Sequence, residues 1–266
     1  MTMKKAFPTE FVYQVFSLLI AFILVHAIYV TLIRPQADAF MRQEAANMQA
    51  DPAYVQQRSF FVVIKDYEQE SCFVLMLWAL SIMVYKGRAV YRQQKLLEHD
   101  LLKLPENLPI GPEDTRELAG RLQSLPEADR ESLLPRALLT AIERFGATRN
   151  VQDVSTAARA ICDSEGERLE SELSIIRYIA WAIPSVGFIG TVRGIGNALG
   201  QAHRAVEGDI TGVTASLGVA FNSTFIALVI SIVLMFFVHQ LQLMQERLVL
   251  DSERYVDRWM VRRMKT

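Results

Sequence analysis

Two stretches place side chains capable of chemistry in apolar surroundings. In "IPSVGFIGTVRGIG" (183–196), Pro184, Gly187, Gly190 and Gly194 recur at steps of three and four, with Thr191 and Arg193 among them. In "ASLGVAFNSTFIA" (215–227), Ser216, Ala220, Ser223, Thr224 and Ala227 repeat those steps, and Gly212 and Ser231 extend them. Such spacing puts each set on one face of a helix. Glycine and alanine let two backbones approach closely, and hydroxyls donate and accept hydrogen bonds without carrying charge. A face of this kind suits a tightly packed helix pair whose hydroxyls bond back to their own carbonyls. It equally suits a pore lining or a groove for another helix. Composition does not separate these uses.

The elements that must position these faces are membrane helices. Residues 11–33 carry no formal charge with His26 counted neutral, and residues 212–238 carry none either. Each run exceeds the roughly 20 apolar residues that cross a hydrocarbon core of about 30 Å. Residues 71–85 form a shorter run that extends upstream into "FFVVIKDYEQE", and 175–200 holds the glycine stretch. The expected fold is therefore an all-α integral membrane protein with four transmembrane helices and helical cytoplasmic extensions. Its parts read as an N-terminal anchor and first span (1–33), a periplasmic segment (34–70) and a second span (71–86, with a start as early as 60). A helical cytoplasmic domain (87–174), a third span (175–200), a periplasmic loop (201–211), a fourth span (212–238) and a cytoplasmic C-terminal helix (239–266) follow. The first span is too long, and lacks a small-x-small site, for a cleaved signal peptide.

Charge sets the orientation. Lys4 and Lys5 precede the first span, Lys86, Arg88, Arg92 and Lys95 follow the second, and Arg247, Arg254, Arg258, Arg262, Arg263 and Lys265 follow the fourth. All three groups lie inside only if both termini are cytoplasmic. Segment 34–70 runs against this rule with Arg34, Arg42, Arg58 and Lys65, although its acids outnumber them. Inside the insert, Pro112 opens one helix, a second covers 127–145, and Asn150 and Asp153 start a third. Val154, Ala158, Ile161, Glu165, Leu169, Leu173 and Ile176 share one face of that third helix, which continues into the third span without a breaker. After the fourth span, Leu241, Met244, Leu248, Tyr255 and Trp259 recur among charges in the same way.

Several classes of function are disfavoured. A formal net charge of −1 excludes nucleic acid as the main partner. No Ser/His/Asp grouping, metal-ligand spacing or phosphate-binding glycine loop is present, so an enzyme is not expected. Cys72 and Cys162 read as small buried hydrophobes. The cores of spans one, three and four hold no Asp or Glu, so an ion-carrying carboxylate should come from another polypeptide. Asp66, Glu68 and Glu70 read as a solvated rim at the edge of span two. His26, near the middle of span one, reads as hydrogen-bonded to a neighbour, with a proton relay, or a gate or anchor role like that of Arg193, as the alternative. Arg193 lies about 27 Å past Ile175 along a helix, at the headgroups, as an anchor or a gate at a pore mouth.

"PSVGFIGTVRG" (184–194) resembles the third-span motif of the MotA/TolQ/ExbB proton channel family, and "AFNSTFIA" (220–227) resembles its fourth-span motif. Two spans before the insert resemble the four-span MotA branch. Val219, where TolQ and ExbB proteins carry glutamate, agrees with that branch; Ala227 stands where many members have glycine, and Arg193 where most are apolar. The resemblance implies a homopentameric ring in the bacterial inner membrane around the helices of a dimeric single-span partner of the MotB/TolR/ExbD type. That partner supplies an aspartate. It implies that Thr191 and Thr224, with Ser223, line the path of H⁺ or Na⁺, with no other cofactor. It further implies that Pro184, Gly187, Gly190, Gly194, Ala220 and Ala227 pack span three against the partner and neighbouring subunits. Stator, envelope, transport, gliding and defence machines all fit. A membrane scaffold that holds a single-span partner without conducting is the alternative.

Overall fold

The computed structural model describes residues 9–51, 54, 57–102 and 109–265 of the chain. Lys4 and Lys5 lie outside the described residues. Among the described residues, regular structure is helical apart from one parallel bridge between Ile110 and Met264. The helices are α1 (Thr9–Ile28), α2 (Arg34–Ala50), α3 (Phe60–Ile64), α4 (Tyr67–Leu97), α5 (Thr115–Gln123) and α6 (Glu127–Arg130). There follow α7 (Leu133–Thr148), α8 (Val151–Glu172), α9 (Ser174–Gly200), α10 (Ala202–Val206) and α11 (Thr211–Trp259). Among the described residues, four helical stretches are long and apolar enough to cross a membrane: Glu10–Ala50, Tyr67–Leu97, Val151–Gly200 and Thr211–Arg263.

The chain divides into two units. The first comprises Met1–Met83 and Ile175–Val238. Here Ala21, Val25, Tyr29, Ile33 and Ala37 form one buried stripe that runs from α1 into α2. Residues four apart drift around an ideal helix by about 40° per step. The π-helical turn Tyr29–Ile33, in which Arg34 donates to the Tyr29 carbonyl, offsets part of that drift. Its cause is local: Pro35 has no N–H for the Thr31 carbonyl, and its ring crowds that carbonyl. Trp78 on α4 donates to the Gln14 carbonyl at 2.9 Å, and Tyr13 and Ser81 share a hydroxyl bond of 2.8 Å. Buried Glu44 of α2 accepts from Tyr54 (2.7 Å) and from the Gln57 N–H (2.9 Å), which ties those two residues to the helix. Residues 65–66 separate α3 from α4, so the apolar "FFVVI" forms its own short helix and does not extend the second long one.

The second unit comprises Val84–Ser174 and His239–Thr266. Its core is built on α7, where Leu134, Ala137, Leu138, Ala141, Ile142 and Phe145 are fully covered, with Leu118 and Leu122 of α5 and Val154 and Cys162 of α8 against them. Asn150 caps α8 by accepting the Gln152 N–H at 2.9 Å, which is the helix start its sequence signals. Pro112 lies three residues ahead of α5, in the turn that leads into it. Leu248 and Val256 of α11 are buried in this core, with Met244, Tyr255 and Trp259 packed on it. Glu165 is buried between Arg136 of α7 (3.3 Å) and Arg168 (2.5 Å), so a charged member of the apolar stripe is tolerated because two guanidinium groups meet it.

Burial pushes the Cys162 thiol up to about 11. Alkylation needs the thiolate, which is scarce below that value. Iodoacetamide at pH 8 is therefore expected to label Cys162 only as the unit unfolds. Prompt labelling of the folded chain at this residue, read by mass spectrometry, would contradict the packing.

Candidate functional site

The site lies in the first unit, along the seam between α9 and α11. Gly187, Gly190 and Gly194 are all buried on α9. A Cβ on Gly187 would collide with the Ala227 methyl and come within 3.1 Å of the Ser223 carbonyl and 3.2 Å of the Thr224 Cα. One on Gly194 would lie 2.7 Å from both the Ala220 Cβ and its backbone N, and 2.8 Å from the Ser216 carbonyl. One on Gly190 would fall 2.6 Å from the Ser223 Cβ and 3.1 Å from the Glu68 Cγ. The glycine face is thus covered by α11 of the same chain. Within this chain Gly187, Gly190, Gly194, Ala220 and Ala227 pack α9 against α11, a use distinct from the contacts with a partner and neighbouring subunits that the resemblance implies. The physical reason is that both helices bear small faces, and joining them brings more backbone atoms into contact than either face offers a bulky partner.

Hydroxyls collect along the seam. Thr191 and Thr224 hydrogen-bond through their hydroxyls. Thr191 also lies 3.1 Å from the Ala220 carbonyl, and Thr224 lies 3.1 Å from that of Gly187. Ser223, fully buried, reaches the Gly187 carbonyl at 3.3 Å and that of Ala220 at 2.9 Å. The Gly187 carbonyl is also 3.4 Å from the Thr191 hydroxyl. A carbonyl has two lone pairs, one already used by the helix ladder, so three hydroxyls cannot all donate to it at once. The rotors therefore share acceptors. Thr191 and Thr224 are half-buried, whereas Phe188, Val192, Phe221 and Phe225 around them are exposed.

Pro184 lies within α9, which continues through it. Having no N–H, it leaves the carbonyl of Ala180 without its ladder donor. The Ser231 hydroxyl of α11 fills that place at 3.1 Å. Ser231→Ala is expected to destabilise the chain by about 1–3 kcal/mol, the cost of a buried unsatisfied group. In Pro184→Ala, where the backbone donor returns, the same change should cost clearly less; equal costs in both backgrounds, by thermal unfolding, would disconnect the two residues.

At the end of the unit where α4 begins, charges are buried in pairs. Glu70 accepts from Arg34 and from His26 Nδ1 (2.6 Å); an ionised carboxylate only accepts, so Nδ1 carries the proton. Arg193 Nη2 donates to Glu68 Oε2 at 2.7 Å. Gln69, between the two acids, is wholly buried. The expectation that Glu68 and Glu70 form a solvated rim is therefore wrong. The first turn of α4 faces α1, α2 and α9, each of which brings a cation or imidazole. His26 is hydrogen-bonded as anticipated and belongs with this end of the bundle, while Arg193 is held by an acid. Sequence reasoning named Glu68, Glu70, Arg34 and Ser231 but gave them none of these partners. A usable signal was present in the lone basic residues at the ends of two apolar runs, facing two acids that begin a third.

Residues 129–254, which include both seam helices up to Arg254, match the MotA/TolQ/ExbB proton channel family. No curated protein and no solved structure matches the chain.

Proposed function

We propose that this membrane chain, whose residues 129–254 match the MotA/TolQ/ExbB proton channel family, is the channel-forming subunit of an ion-driven inner-membrane motor. Five copies surround the transmembrane helices of a dimeric, aspartate-bearing single-span protein, in the manner of the four-span MotA branch. Both termini are cytoplasmic, as the distribution of Lys and Arg favours. The observation that carries the reading is the Thr191–Thr224 hydroxyl pair at the edge of the buried seam, inside the matched segment. These hydroxyls and that of Ser223 share the Gly187 and Ala220 carbonyls, so several rotor arrangements are open to them and a lone pair can turn toward H⁺ or Na⁺. Exposed Phe188, Val192, Phe221 and Phe225 supply an apolar wall on which a partner helix can lie. Ion loading neutralises the partner's aspartate, lowers its cost in an apolar setting, and so changes which wall that helix prefers. A charge crossing the membrane potential contributes about 2.3 kcal/mol per 100 mV.

The scaffold reading draws on one observation: Thr191 and Thr224 already reach carbonyls within the chain. One experiment tests both readings. The chain is co-expressed with any single-span, Asp-bearing protein that a neighbouring reading frame encodes, and the purified complex is reconstituted in liposomes with a potential and a H⁺ or Na⁺ gradient. Ion flux that stops when the partner's aspartate is changed to asparagine supports the motor. A stable complex that never conducts leaves the scaffold.

A further inference from the structure

We propose that Glu68 is the cation-receiving group at the outer end of the ion path, and that it exchanges its ion pair with Arg193 for the incoming cation. The inference rests on the channel reading and adds an acid supplied by this chain to one expected from a partner. Glu68 reaches the hydroxyl seam because Gly190 has no side chain: a Cβ there would lie 3.1 Å from Glu68 Cγ and 2.6 Å from Ser223 Cβ. The Glu68 side chain of α4 thus packs on the Gly190 backbone, which the Ser223 side chain of α11 also approaches. The two members of its ion pair differ in freedom. The Glu68 side chain is 10 % exposed and that of Arg193 is 41 % exposed, across a 2.7 Å bond. Arg193 can withdraw its guanidinium to water along a flexible arm, while the acid stays fixed on its helix.

The neighbouring charges are already engaged. Glu70 of α4 is held by Arg34 of α2 and His26 of α1, and Asp66 lies 3.6 Å from Lys65. Glu68 is left to Arg193. Tyr29 Oη, Gln69 Oε1 and Asp66 Oδ2 are buried without a hydrogen-bond partner among the described residues. Such groups need water or a cation beside them, so this interior can solvate an exchange. The charge balances: the Glu68–Arg193 pair is neutral, and with H⁺ or Na⁺ on the carboxylate and the guanidinium in water the total is +1, the charge that arrived. An unpaired buried carboxylate is costly, so Arg193 leaves only as a cation takes its place. An anion gains nothing from the same acid.

The test uses the purified full chain in liposomes and infrared difference spectra, recorded on adding Na⁺ or, separately, acid in Na⁺-free buffer. The wild type is expected to show a carboxylate change that is absent in E68Q and in E68Q/R193Q. R193Q should show that change at a cation concentration about tenfold lower or less, since an opposite charge within about 4–6 Å weighs at least that much. Identical spectra for wild type and E68Q, or an unshifted midpoint in R193Q, would overturn the proposal. The amide bands in the same spectra report folding, and if E68Q does not fold, the R193Q midpoint decides alone. Flux separates this idea from the channel reading. If the complex with its partner conducts and E68Q conducts equally, the exchange falls and the channel stands. If the complex never conducts but the spectra behave as expected, the channel falls and cation binding at Glu68 remains.

Discussion

Gly187→Ala is expected to lower the stability of the chain by about 1–3 kcal/mol, the usual range for overpacking a closed interior. Gly187→Leu should leave no folded membrane unit to purify. The alanine methyl would meet the Ala227 methyl, the Ser223 carbonyl and the Thr224 Cα. Two of these three are backbone atoms of α11, which cannot move aside one at a time, so the helices must separate and the hydroxyl bonds lengthen with them. Gly196 gives the control. It lies on the same helix, yet a Cβ there meets no atom within 4 Å. Gly196→Ala should be neutral or stabilising by up to about 1 kcal/mol through helix propensity alone. Thermal unfolding of the two variants in one detergent settles the matter, and equal behaviour would mean that the seam does not exist as described.

Thr191→Val and Thr224→Val are the second pair, with a large effect on ion flow and a small one on assembly. Valine keeps the shape of threonine and removes its hydroxyl. Because Thr191 and Thr224 bond each other, removing both leaves fewer stranded groups than removing one. A hydrogen bond to a charged group is worth about 1.5–3 kcal/mol, so losing it at a passing cation should slow flux about ten- to a hundredfold per hydroxyl. The double variant should still co-purify with the single-span partner. Flux in the double variant equal to wild type would remove both threonines from the path, whatever becomes of the seam.

The two predictions differ in where their grounds were visible. Steps of three and four among small residues are legible in any sequence, and they identified the faces on α9 and α11 correctly. What those faces touch was not legible, because a small face can be spent on another helix of the same chain or kept for a partner with the same composition. The structure spends it within the chain. Pro184 shows the same division. A proline at membrane depth announces a carbonyl without a donor, but the helix four residues back gives no sign of where a donor comes from. Ser231 is 51 positions away from that carbonyl, and only the packing of α11 on α9 brings it there.

Two long uncharged runs, a shorter one and the glycine-bearing stretch pointed to four membrane helices, because an internally bonded helix is the form in which such segments are stable in lipid. The capping residue Asn150 and the apolar stripe of α8 likewise follow from local rules, in which each residue's partners lie within a turn or two along the chain. The charged end of the bundle was decided elsewhere. Glu68 and Glu70 look like rim residues when read beside their own neighbours, and become buried acids once Arg193, Arg34 and His26 arrive from three other helices. Burial of a charge depends on what surrounds it in space, and the groups that make it affordable here lie between 36 and 125 positions away in sequence.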